Sequence, residues 1–132
     1  MNNSSIFIVG DARSIFVPSE GKSAVQAKFV VVRNGGATRV IAGRYPDFSY
    51  HADILESWCN LHAIPCGREG EEARVEIYDK SWRIDGGGWI EIKPVARSLR
   101  LFGISTAYGG FAKNEIIPIV KTSEFFSGFT IA

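Results

Sequence analysis

The sequence predicts a mixed α/β (α+β) fold, a single domain over residues 1–132 with one mixed β-sheet and two main helices. Three observations carry that expectation. A β-branched run at residues 27–33 (AKFVVVR) ends in Asn34-Gly35-Gly36 and is followed at once by a second apolar run at residues 39–43 (RVIAG), the pattern of two strands joined by a tight turn. Over residues 50–62 the apolar spacing changes to three and four, which places Ile54, Leu55, Trp58 and Leu61 on one face of a helix. Strict alternation then returns at residues 74–78 and 98–104.

Residues 10–26 are polar and rich in turn formers, broken only by Ile15-Phe16-Val17, so residues 1–26 are expected to form an irregular N-terminal arm. The two paired strands follow. Ser49 is the expected N-cap of the first helix, which Pro65 and Gly67 close. Residues 68–72 (REGEE) read as a solvated charged turn leading into the strand at 74–78. Short strands at 82–84 and 89–92 flank Gly86-Gly87-Gly88, and the glycine run is expected to bend the chain between them. The strand at 98–104 runs into the small-residue loop Ser105-Thr106-Ala107-Tyr108-Gly109-Gly110. Ile116, Ile117 and Val120 predict a second helix over 112–121, kept short or kinked by Pro118, and 129–131 reads as a terminal strand.

A length of 132 residues suits one domain, and 45% hydrophobic with 22% charged residues is an ordinary globular composition. The 15 Lys+Arg against 14 Asp+Glu give a formal net charge of +1, which supplies no electrostatic reason to expect nucleic acid as a partner. No apolar stretch approaches the roughly 18 residues of a membrane span, and the first ten residues lack the basic start and long apolar run of a signal peptide. A cytoplasmic protein with no membrane partner is therefore expected. Cys59 and Cys66 are too few for a disulfide framework and lack CxxC spacing, so they read as incidental or buried thiols in a reducing compartment.

Few motifs carry chemistry. Gly21-Lys22-Ser23 matches the end of a phosphate-binding P-loop, but Phe16 stands where that motif needs its first glycine, and Gly86-Gly87-Gly88 lacks the dinucleotide spacing. His51 and Asp53 have no third ligand at a recognisable spacing, so no metal site is expected. His62 falls near the end of the first helix, where it meets the helix dipole or water. His51 stands at the loop-to-helix junction and admits two readings. It is a base held neutral beside an anion site at a helix N-terminus, or a capping or core histidine. The loop at 105–110 also admits two readings: an anion-binding concavity of successive backbone N–H groups with the Ser105 and Thr106 hydroxyls, or a structural strand-to-helix turn.

Tyr50-His51-Ala52-Asp53-Ile54, followed by Ser105-Thr106-Ala107-Tyr108-Gly109 after a strand ending in Phe102-Gly103, resembles the small phosphohistidine phosphatases of the Janus/Ocnus family. Residues 27–33 look like that family's first core strand, which carries a lysine at the position of Lys28. The segments come in the family's order and extend from about residue 27 to 131. The resemblance implies a monomeric, metal-independent phosphatase without a cofactor, whose partner is a phosphohistidine-containing protein and which acts to some degree on phospholysine. It implies that His51 is the general base on the attacking water, and that Lys28, Ser105, Thr106 and Ala107 hold the substrate phosphate. Such chemistry suits a labile P–N bond, which can be cleaved by positioning and charge stabilisation.

The chain departs from the family pattern at three places. Members commonly read G-G-G-R-I where this chain has Gly86-Gly87-Gly88-Trp89-Ile90, so Arg44, Arg83 or another cation substitutes, or Trp89 adds an aromatic wall. Residues 67–84 form a longer stretch than the family counterpart, and Gly110 stands where a proline often follows. Two alternatives stand beside the phosphatase: a non-catalytic module that binds phosphate or a phosphoprotein, and an enzyme acting on another small phosphorylated amine. With a net charge of +1, attraction to phosphate must in each case be local.

Overall fold

The structure, a computed structural model, describes residues 4–68 and 74–132. Its elements run β1 (Ser5–Ile8), β2 (Val25–Asn34), β3 (Ala37–Arg44), α1 (His51–Leu61), β4 (Cys66–Arg68), β5 (Val75–Ile77), β6 (Trp82–Lys93), β7 (Ser98–Phe102), α2 (Lys113–Lys121) and β8 (Thr130–Ile131). Six strands form one mixed sheet in the order β1-β3-β2-β6-β7-β8, parallel at its two outer pairs and antiparallel between. β4 and β5 pair antiparallel as a separate two-stranded ribbon. The fold is the single α+β domain that the sequence predicts.

Alternation in β2 decides the layering, because successive side chains of a strand point to opposite faces. Val25, Ala27, Phe29 and Val31 join one core with Ile90, Leu101 and the α2 residues Ile116, Ile119 and Val120. Val30 and Val32 join a second with Ile54, Leu55 and Trp58 of α1 and Val75 and Ile77 of the ribbon. The sheet is thus covered on both faces, and the ribbon belongs to the α1 side. Lys28 has the parity of Val30 and Val32 and so lies on that side too, near the start of α1.

The β2–β3 turn forms as predicted, with Gly35 at φ +61°. The glycine run does not bend the chain: β6 passes straight through it as one strand of 12 residues. Gly87 pairs with Val30 and Gly88 with Phe29, and a register shift between Val30 and Val32 absorbs the irregularity. A Cβ on Gly87 would overlap the Phe29 carbonyl, and one on Gly86 would overlap the carbonyl oxygen of Gly110. These glycines admit close neighbours rather than a turn. Gly86 also has φ +117°, a region that L side chains avoid. Gly86→Ala is accordingly expected to cost about 1–3 kcal/mol, read as a lower urea midpoint at unchanged m-value.

The N-terminal segment is also more regular than an irregular arm. Ser5–Ile8 pairs in parallel with residues 39–42 of β3, and Ala12–Phe16 forms a 3-10 turn that buries Ile15, with the Asp11 carboxylate accepting from the Arg13 N–H at 3.0 Å. Among the described residues of that segment, residue 4, residues 9–11 and residues 17–24 lack helix or strand. The N-cap of α1 is Tyr50, one residue beyond Ser49, and the Asp53 carboxylate reaches back to accept from the Tyr50 N–H at 3.0 Å. Of the charged turn at 68–72, Arg68 closes β4 and the remainder lies outside the described residues. α2 is short, nine residues with Pro118 inside it. Among the described residues, no helix is long and apolar enough to cross a membrane.

Candidate functional site

Three neighbouring strands converge beneath the N-terminus of α1. Lys28 of β2 stands opposite Trp89 of β6, and Trp89 stands opposite Phe102 of β7. The parity that puts Lys28 on the α1 side puts Trp89 there as well, so the indole lies in the site and not in the core. A cleft of about 560 Å³ opens at this point, lined by Lys28, Tyr50, His51, Arg74, Trp89, Ile104, Thr106 and Ala107.

His51 is the first residue of α1 and is 7% exposed. Its Nε2 lies 2.9 Å from the Gly88 carbonyl oxygen. A carbonyl only accepts, so Nε2 carries the hydrogen and the neutral ring keeps its lone pair on Nδ1. Among the described residues no buried side-chain nitrogen or oxygen lacks a hydrogen-bond partner, and Nδ1 has none, so Nδ1 reaches solvent. Burial holds the imidazole below its ordinary pKa of 6.5 and the charge of Lys28 acts in the same direction, while the Gly88 bond opposes them. A ring with one nitrogen anchored, the other open and the neutral form favoured is equipped to accept a proton.

The Lys28 ammonium donates to the Ser49 carbonyl at 2.6 Å and lies over the Trp89 ring at 4.8 Å, with Tyr45 and Tyr50 at 5.3 and 5.8 Å. Desolvation lowers its pKa, and the Asp53 carboxylate acts the other way. Trp89, in the position where the resemblance expects arginine, is thus the floor on which a lysine rests.

The loop at 105–109 closes on itself. Gly109 N–H donates to the Ser105 carbonyl at 2.8 Å, and Gly87 N–H donates to the Gly109 carbonyl at 3.1 Å, which ties the loop to β6. Ser105 lies behind the cleft: it is 1% exposed, its N–H is taken by the carbonyls of Gly87 and Gly109, and its hydroxyl accepts from Tyr108 N–H at 3.1 Å. Its position makes it a brace of the loop, and it does not line the cleft as Thr106 and Ala107 do. The Thr106 and Ala107 N–H groups make no hydrogen bond among the described residues and are open to an anion.

The structure therefore brings together Lys28, His51, Thr106 and Ala107 and sets Ser105 beneath them. Arg44 and Arg83 lie elsewhere. Arg44 donates to the Ser14 carbonyl and Ser19 hydroxyl in a separate hollow of about 340 Å³, and the exposed Arg83 pairs with Asp85 at 3.6 Å. Asp53 serves the Tyr50 N–H and Arg68. His62 closes α1, its Nδ1 donating to the Trp58 carbonyl at 3.0 Å and its ring edge-on to Phe7. The two cysteines are free thiols, and burial pushes Cys59 up to about 12, which leaves it unreactive. The residue that sequence reasoning missed is Arg74. In the sequence it is one polar position of the alternation at residues 74–78, and nothing in its spacing shows that it faces a loop 33 residues away.

A protein-family model described as Janus/Ocnus family (Ocnus) matches residues 20–129, a span that contains every residue of the cleft. No curated protein matches the chain.

Proposed function

The chain belongs to the Janus/Ocnus family, and from that membership and the cleft we propose that it is a metal-independent phosphatase acting on phosphohistidine in proteins, with His51 as general base. The observation that supports this best is the open Nδ1 of His51 in the same cleft as a lysine and two unengaged amides. The phosphoryl group rests on the Thr106 and Ala107 N–H groups and the Lys28 ammonium. Water attacks phosphorus, and its proton passes to Nδ1 as the new O–P bond forms. The P–N bond breaks with its electron pair going to the substrate's imidazole nitrogen, which takes up a proton from solvent. Phosphate leaves, and the His51 imidazolium releases its proton to solvent. Charge stabilisation and positioning carry this reaction, because the leaving nitrogen is already a good one when protonated.

The purified protein is expected to release inorganic phosphate from phosphohistidine or phosphoramidate in the presence of EDTA. No release from either substrate rejects the proposal. One observation favours the second reading, a binding module: Lys28 already serves the Ser49 carbonyl and rests on aromatic rings. Phosphopeptide binding without turnover is its signature.

The lowered His51 pKa also fixes the shape of the pH profile. kcat/KM should rise along an acid limb centred below 6.5 and run flat through neutrality, since the base is already unprotonated there. A limb centred above 6.5 assigns the base to another group. The same group makes folding pH-dependent. With the folded value depressed, its contribution is whole above about 6.5 and is lost as pH falls toward the folded pKa, where the unfolded chain binds the extra proton.

A further inference from the structure

We propose that Arg74 is the second cation of the phosphate site, donating to the phosphoryl oxygens from the ribbon side while Lys28 does so from β2. This rests on the reading of the cleft as a phosphate site and deepens it. A phosphoryl group carries close to two negative charges, and one shared ammonium is a thin counterion for it. Among the described residues, Arg74 is the other cation lining the cleft. Arg33 is committed to Asp85 and Glu115, and Arg68 to Asp53 and Glu56.

The placement of Arg74 is built, and not an accident of a surface side chain. The Tyr108 hydroxyl accepts from Val75 N–H at 2.6 Å and donates to the Val75 carbonyl at 2.9 Å, which staples the ribbon to the loop. The guanidinium lies over the Tyr108 ring at 5.4 Å, and its Nη1 donates to the Ala107 carbonyl at 2.8 Å. One of five N–H donors is thereby spent on the very residue whose own N–H is open, and the fork is held beside the loop amides. Glu76 stands 3.7 Å from Nε, but both side chains are 40% exposed or more, so that pair is a weak competitor for a phosphate. The planar fork matches phosphate oxygens in pairs, which a lysine cannot do.

Titration of the whole chain with inorganic phosphate, followed by calorimetry or phosphorus NMR, reads this without turnover. Arg74→Gln is expected to weaken phosphate binding by about 10-fold or more at unchanged melting temperature, whereas Arg83→Gln, an equal loss of charge on the surface, should stay within about twofold of wild type. Should the glutamine variant unfold, Arg74→Lys, which keeps a charge but loses the fork, is expected to bind severalfold more weakly, and equal affinity overturns the proposal. Binding that Arg74→Gln leaves within twofold of wild type overturns this proposal alone, whatever the protein hydrolyses. A wild-type chain that binds no phosphate overturns it together with the reading of the site. Arg74-dependent binding without hydrolysis supports the cation and removes the phosphatase.

Discussion

Replacing His51 with alanine is expected to lower kcat/KM for phosphohistidine by about 10²–10⁴-fold, the contribution of one positioned general base. The substitution also removes the donor to the buried Gly88 carbonyl, a structural loss on the order of 1–3 kcal/mol. The two effects must be separated, and His51→Gln does so. A glutamine amide can donate to Gly88 but has no nitrogen lone pair to accept a proton at neutral pH. The catalytic role predicts that both variants lose turnover alike, while glutamine keeps more of the stability in a urea or thermal melt. If glutamine restores turnover along with stability, His51 acts only by holding α1 to β6, and the proton goes elsewhere. The comparison is sharp because Nε2 makes the Gly88 contact, while the proposed proton transfer falls to Nδ1.

The strands and helices that could be read from the sequence were those whose signal is local. The Val-rich run with its Asn-Gly turn, the three-and-four spacing of α1 and the alternation of β7 each depend on residues a few positions apart. What stayed hidden depends on distant partners. β1 is four residues long and exists because β3 offers a parallel edge. The glycine run carries no side chains to show a period, and it becomes strand because Phe29 and Gly110 need the space where Cβ atoms would stand. His51, Lys28, Thr106 and Ala107 were legible as a group only through the motif resemblance, since the sheet register that joins Lys28 to Trp89 is a tertiary fact. Arg74 was illegible for the same reason, its site being made by a tyrosine on another element.

Lys28→Met should produce the second large effect, with two signatures that no other single change in the cleft is expected to share. Loss of the ammonium removes a charged donor, so phosphate affinity and kcat/KM are expected to fall by about 10–100-fold. Methionine keeps an apolar stem of similar length against Trp89, Tyr45 and Tyr50, so the wall should survive. The second signature is an upward shift of the His51 pKa. Lys28 is one of the two influences that lower its pKa, because a nearby positive charge disfavours the imidazolium. Without it the pKa rises, and the acid limb of kcat/KM moves to higher pH. Burial, the larger influence, remains, so the limb should still lie below 6.5. Lys28→Arg keeps the charge and should leave the limb where it was, even if a bulkier head disturbs binding. A limb that stays fixed in Lys28→Met, or moves to lower pH, would mean that the ammonium and the imidazole do not share the field of one site. The limb reports on that pair directly, because the charge that biases His51 is that of Lys28 and the remaining influences are burial and the Gly88 bond.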